Sequence, residues 1–315
     1  MKNFDEMMEL VAAQPLRKVA VAVGQDAAVV SAVAQARPRE VATSVLVGDE
    51  VEIRGIAERD GVDLEAAEVE VVHEPAPLKA VAAAVQLVSD GEADILMKGY
   101  IHTDDFLRGV LSKTHGLRTG SIMSHVFIAE VREMEKLLFI TDAAMNIAPD
   151  LEQKSAILLN AVFLARHFGV TDPKVAVLAA VELVNPAMQA TTDAAVLAKM
   201  ADRRQYVPPC TVDGPFALDN ALSLVAAKHK KITGAVAGLA DILLVPNIEA
   251  GNILAKSLVY LAGRRLIGLL IGAKAPVVLT SRADTAEAKL HSIAGAVLMV
   301  NMERKLKLKV GKVHY

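Results

Sequence analysis

Two hydrophobic periods take turns along this chain. Short, mostly apolar and β-branched runs occur at 18–23, 42–47, 69–73 and 93–98, and again at 137–141, 174–181, 240–246 and 276–280. Between them, apolar residues recur three and four apart at 4–13, 26–36, 50–60, 77–90, from Asp150 onward, and at 190–201, 219–229, 252–262 and 284–304. The first kind predicts strands and the second predicts helices. Strands that alternate with helices of about ten residues or more form βαβ units, so the expected fold class is α/β with mostly parallel sheets. Ligands of such sheets bind beyond the carboxyl ends of the strands. The loops after the strands are therefore where chemistry is expected.

Local signals refine the elements. Gly24, Gly48 and Gly99 close strands, and Pro38 follows a helix. Asp150 with Gln153 has the spacing of a capping box, and Gly169 suits the position just past that helix. Thr103 is placed to cap the helix after Gly99, and Asp284, with Glu287 three residues on, to cap the last long helix. That helix runs into an alternating basic tail, KLKLKV (305–310). No Gly/Ser-rich linker separates two lobes, so two domains would require the chain to cross between them more than once. One internal echo, ADILMKG (93–99) and ADILLVP (240–246), marks two similar strand ends, or merely a shared strand start.

Composition narrows the function classes. The chain has 315 residues, which favours two domains or one large one. Its 34 Lys and Arg against 37 Asp and Glu give a net charge of −3, and only 3% of residues are aromatic. Neither feature fits a base-stacking nucleic-acid platform. A single cysteine, Cys210, excludes an intrachain disulfide framework or a Cys-rich zinc module and points to a reducing cytoplasm. Mean hydropathy is +0.37, yet no apolar run reaches the ~18 residues of a membrane span. The first residues, MKNFDEMMEL, do not form a signal peptide. A soluble, cytoplasmic globular protein is expected.

Three loops carry candidate chemistry. Lys98-Gly99 and the helix start at Thr103 suit an anion such as phosphate, whereas Asp104 and Asp105 in the first turn favour an ordinary capped loop. His102, His115 and His125 lack the spacing of a metal site, and no metal is expected. The second loop, Asn247 to Asn252 with Glu249 between and Lys256 on the following helix, reads equally as a substrate-orienting cluster or as a turn. In the third, Ser281 and Arg282 follow an apolar strand and can meet an anionic oxygen from two sides. No Walker A loop, dinucleotide fingerprint or nucleophile elbow is present.

In order, ADILMKG…HTDDFLRGVL (93–111), FITDAAMNIAPDLEQK (139–154), VDGPFALDNAL (212–222), ADILLVPNIEAGNILAKSL (240–258) and APVVLTSRADT (275–285) resemble the phosphate acyltransferase family, the phosphate acetyltransferases and butyryltransferases. The resemblance runs from about residue 90 to about 300, and NIEAGN and LTSRAD are closer to the butyryltransferase branch. It implies a two-domain isocitrate/isopropylmalate-dehydrogenase-like fold, with residues 1–125 plus 275–315 as the first domain and 126–274 inserted. Both termini would lie on the first domain, and the active site in the interdomain cleft. The implied reaction moves a short acyl group, butyryl or acetyl, between coenzyme A and inorganic phosphate.

Coenzyme A is then a substrate, no cofactor or metal is required, and a homodimer or other homo-oligomer is expected, with no nucleic-acid or membrane partner. Ser281 and Arg282 match the family's Ser-Arg pair and would hold the phosphate oxygens. Lys98, Thr103, Asn247, Glu249, Asn252 and Lys256 would bind substrate. The acetyltransferases place an aspartate base on the next helix, but the match falls on Ala288 here. Glu287 or Asp284 would have to substitute, or catalysis would rest on juxtaposing the substrates. Cys210 is not needed as an acyl carrier. The competing readings are a non-catalytic acyl-CoA-sensing domain of the same fold, and a dehydrogenase of the same fold that would need metal-binding aspartates and a nucleotide loop.

Overall fold

The computed structural model describes residues 1–131, 134–306 and 312–314, with 303–306 described by their backbone alone. Past Leu306, the tail expected to alternate lies outside the described residues. The chain opens α1 (Phe4–Ala12), β1 (Arg17–Ala22), α2 (Ala27–Ala36), β2 (Ala42–Gly48), α3 (Glu50–Arg59), β3 (Val69–His73), α4 (Pro77–Ser89), β4 (Ile95–Lys98) and α5 (Thr103–Val110). It continues β5 (Ser124–Val131), β6 (Lys136–Thr141), α6 (Leu151–His167), β7 (Lys174–Leu178), α7 (Gln189–Asp202), β8 (Tyr206–Val207) and β9 (Thr211–Phe216). Then come α8 (Leu218–Leu222), α9 (Leu224–His229), β10 (Ile242–Leu244), α10 (Ile248–Tyr260), β11 (Leu266–Ile271), β12 (Val277–Val278), α11 (Ala286–Leu306) and β13 (Lys312–Val313).

Contacts divide the chain into two units. Residues 4–121 and 267–306 form one; residues 1–3, 122–266 and 312–314 form the other. Both chain ends thus group with the second unit, where the sequence placed them on the first. In the first unit the strand order is β3-β2-β1-β4-β12-β11, parallel except for β11 against β12. The inner strands β2, β1, β4 and β12 are buried and mostly apolar because helices cover both sides, as parallel sheets require, whereas the edge strand β3 exposes Glu70, Val72 and His73. The register sets Ala22 opposite Lys98, and Met97 opposite Val278. The ends of β1, β4 and β12 therefore finish side by side. Helix α11 is buried along Leu290–Val300, which explains its lack of a polar face.

The second unit has the order β5-β6-β10-β7-β9, with β5 and β6 antiparallel and the rest parallel. Thr141 lies opposite Leu244, so the loops after β6 and β10 are neighbours. Helix α6 is buried around most of its circumference, including Lys154, Ser155 and Asn160. Asp150 and Gln153 form the expected capping box on it, and Gly169 follows at φ +86°. Three expectations change. Residues 219–229 form two short helices broken at Ser223, whose hydroxyl caps the second. Helix α10 begins at Ile248, so most of the expected 247–252 loop is its first turn. Strands β5, β9 and β11 were not anticipated.

Candidate active site

In the first unit three strand ends build one cationic corner. After β4 the chain folds back tightly on β1: Gly99 N donates to Ala22 O at 2.9 Å and Tyr100 N to Val23 O at 2.8 Å. A Cβ at position 99 would overlap those two carbonyl oxygens, so only glycine allows this approach. Lys98 is thereby fixed at the strand end, and only 2% of it is exposed. Among the described residues its ammonium makes a single long hydrogen bond, 3.4 Å to Gly99 O. Burial lowers its pKa to about 8, and the positive charges of Lys289 and Arg282 push the same way against Asp284 and Asp26.

The loop after β12 carries the Ser-Arg pair. Ser281 N donates to Asp284 Oδ2 at 2.7 Å, and Ala283 N to Ser281 Oγ at 3.3 Å. Asp284 therefore clasps the loop rather than capping α11 as expected. The cap is Thr285, whose hydroxyl accepts from Ala288 N at 3.2 Å. Arg282 is exposed, with its guanidinium carbon 5.7 Å from the centre of the Tyr100 ring and Nη2 in a long 3.5 Å contact with His102 Nδ1. Lys289, on the first turns of α11, is 2% exposed and donates to Ser281 O at 2.8 Å. Burial lowers its pKa, opposed by Asp284 and Asp26. Among the described residues, neither Lys98, Lys289 nor Arg282 forms an ion pair with a carboxylate.

Such a corner is electrostatically incomplete. Two buried ammoniums and a guanidinium, with Asp284 and Asp26 near but in no ion pair with them among the described residues, favour an anion with several oxygens, which is what phosphate offers. Lys98, Ser281, Arg282 and Asp284 come together as the sequence suggested. Thr103 is the first helical residue of α5; the N-cap position is His102, whose side chain makes no capping bond. Glu287 sits exposed on the first turn of α11. Lys289 was not anticipated. Its signal was a lysine at the start of the mostly apolar stretch 290–300 of that helix.

In the second unit the strand-end loops are tied to themselves. Asp142 is 2% exposed, and its carboxylate accepts from Ala144 N, Met145 N and Asn146 N at 2.9–3.2 Å and from Asn146 Nδ2 at 2.6 Å. Asn146 Nδ2 also donates to Met123 O. Asn247 caps α10 by accepting from Ala250 N at 3.0 Å, and Asn252 donates to Ala143 O at 3.1 Å. Gly251 lets α10 approach this loop, since a Cβ there would stand 2.8 Å from Asp142 O. Glu249 and Lys256 are exposed on α10. Nearby is a cavity of about 610 Å³ lined by Leu151, Val196, Pro246, Gln189 and the pair Lys154–Asp193. That pair is buried and closes at 2.6 Å. Cys210 is half-buried, with its thiol pushed up to about 12 by burial, and so stays protonated.

The phosphate acetyl/butaryl transferase family model matches residues 67–297. The chain is 50% identical over 298 residues to a phosphate butyryltransferase of Clostridium beijerinckii, covering 95% of this chain and 98% of that protein. The chain belongs to this phosphate acetyl/butaryl transferase family. A phosphate acetyltransferase of Thermotoga maritima is 46% identical over 278 residues, 88% of this chain and 93% of the relative. Among solved structures, a branched-chain phosphotransacylase from Enterococcus faecalis superposes with a TM-score of 0.78 at 33% identity, covering 90% of this chain and 99% of that one. The family match takes in all the strand-end loops described above except the one after β1. No helix among the described residues is long and apolar enough to cross a membrane.

Proposed function

We propose that this chain moves a short acyl group, butyryl by preference, reversibly between coenzyme A and inorganic phosphate. The observation that carries the reading is the Ser281-Arg282 loop beside two buried lysines that form no ion pair among the described residues, in a chain half identical to a phosphate butyryltransferase along nearly its whole length. In this reading Arg282 and the Ser281 hydroxyl hold the phosphate oxygens, and Lys98 supplies charge from the floor of the corner. Positive groups fixed before the reaction stabilise the charge that develops on the acyl oxygen and on the departing phosphate. Coenzyme A is a substrate, and the displacement transfers no electrons, so no resident cofactor is required.

Asn247, Glu249 and Asn252 lie at the start of α10 and Lys256 two turns further on; the exposed Glu249 and Lys256 are available to a polar ligand, and the two asparagines shape the loop. Thr103 lies at the open start of α5. We propose the two contact units as the domains, with breaks at 121/122 and 266/267 in place of the expected 125/126 and 274/275, and with both chain ends on the second. The exposed Val181, Leu183 and Val184 support assembly as a homodimer, and a lone, inert cysteine supports a cytoplasmic protein. Release of coenzyme A thiol from butyryl-CoA and acetyl-CoA, with and without phosphate, tests the function. Phosphate-dependent release is expected with both, higher in kcat/KM for butyryl by about tenfold or more, since each methylene contributes about 1–3 kcal/mol. No phosphate-dependent release from either would remove the reading.

A further inference from the structure

A transacylation from acyl phosphate to coenzyme A needs a group to take the thiol proton, and each carboxylate near the Ser-Arg loop has another task or place. Asp284 accepts from Ser281 N at 2.7 Å and holds the loop. Asp26 caps α2 by accepting from Val29 N at 2.9 Å. Glu287 is exposed on the outer first turn of α11, and the next position is Ala288. Lys98 differs from all of these. Its ammonium is buried at the end of β4, has one long hydrogen bond to its own neighbour's carbonyl, and pairs with no carboxylate among the described residues. Lys289, its cationic neighbour, is engaged with Ser281 O.

We propose that Lys98 is the acid–base residue of this enzyme, relaying the thiol proton of coenzyme A to the departing phosphate. The proposal rests on the phosphate acyltransferase reading above. In the direction from acyl phosphate, neutral Lys98 Nζ takes the thiol proton and the thiolate sulfur attacks the acyl carbon. The S–C bond forms, the bond between the acyl carbon and the bridging phosphate oxygen breaks, and phosphate leaves with that electron pair. The lysine then gives its proton to the released phosphate oxygen. One proton leaves sulfur and one arrives on phosphate, so the lysine ends as it began. In reverse, the lysine receives the phosphate proton and returns it to the departing thiolate. A single group beside the phosphate site thus serves both ends of the transfer, and no carboxylate is required.

The surroundings of Lys98 suit this task. Lys289 from α11 and Arg282 from the β12–α11 loop oppose its charge, while Asp284 from that loop and Asp26 from the β1–α2 loop support it. Burial adds to the first pair, and the resulting pKa of about 8 lies near that of a free thiol, about 8.5. Lys289 acts differently, as a positioning residue that fixes the Ser281 carbonyl and hence the loop.

The test compares pH profiles of kcat/KM, in the acyl-phosphate-to-coenzyme A direction, for the wild type, Lys98→Arg and Glu287→Gln. Lys98→Arg keeps the charge and cannot exchange the proton, so a fall of a hundredfold or more with loss of the ionisation near pH 8 is expected. As a second variant, Lys98→Ala should regain activity with added methylamine, which restores the missing amine. Retention of the wild-type profile in Lys98→Arg, or loss of the ionisation in Glu287→Gln alone, would overturn the proposal while leaving the function intact. A wild type with no phosphate-dependent thiol chemistry would overturn both.

Discussion

Two lysines in this chain are buried to nearly the same degree, and their surroundings are opposite. Lys154 on α6 closes on Asp193 at 2.6 Å, and Asp193 also accepts from Gln189 at 2.6 Å. Lys98 at the end of β4 has no such partner among the described residues. The same contrast separates the loops around them. Asp142, Asn146, Asn247 and Asn252 are all bonded to their own unit's backbone, whereas Lys98 and Arg282, near the Ser281 loop, form no ion pair among the described residues. A buried ion is expensive unless it is paired. Where a fold completes the pair itself, the group is structural; where it leaves the pair open, the missing partner is a ligand. Burial alone does not tell the two apart.

The comparison can be broken most forcefully at Lys154. Replacement by Met strands Asp193 without its counter-ion and should destabilise the protein by about 3–5 kcal/mol. Adding Asp193→Leu should recover most of that loss, and chemical denaturation of the single and double variants reads both. At Arg282 the effect should fall on rate instead. Arg282→Ala is expected to lower kcat/KM by about 10²–10³, or about 3–4 kcal/mol, with the melting temperature unchanged because the side chain is exposed. A melting temperature that dropped with activity would place Arg282 in the structural class. Asp142→Asn should be smaller and purely structural: the amide keeps one acceptor but weakens four charge-assisted bonds, for about 2 kcal/mol. Equal loss of activity at constant stability would contradict that assignment.

Much of the fold was legible in the sequence. Strands such as β4 and β10 declare themselves because parallel strands covered on both faces read as apolar runs. Strand β5 did not, since Ser124, His125 and Glu130 interrupt its pattern, and β9 carries Gly214 and Pro215. The Ser281-Arg282 pair was visible because nothing in a capping box needs an arginine there. Lys289 was not, because attention to strand ends overlooks a side chain arriving from the second turn of a helix. Asp284 was read as a helix cap from spacing, but Thr285 stands one residue closer to the helix and takes that role. Asn247 and Asn252 are polar at a strand end for the reason a folded loop needs them, to satisfy backbone groups, and spacing cannot distinguish that from binding.

The electrostatics of Lys98 also set a pH signature. Its pKa in the folded protein, about 8, is below the ordinary lysine value, so between pH 8 and 10.5 the unfolded chain holds more protons than the native state. Stability should therefore rise with pH across that window in the absence of phosphate, by up to about 3 kcal/mol, and Lys98→Met should abolish that part of the rise. The most direct measurement is the melting temperature of the wild type and of Lys98→Met at pH 7, each with and without inorganic phosphate. The wild type should gain stability with phosphate, as any ligand of the native state confers. Lys98→Met should be at least as stable as the wild type without phosphate and should lose the phosphate-induced gain. A Lys98→Met variant that melts far below the wild type, as Lys154→Met is expected to, yet still responds fully to phosphate, would contradict the account.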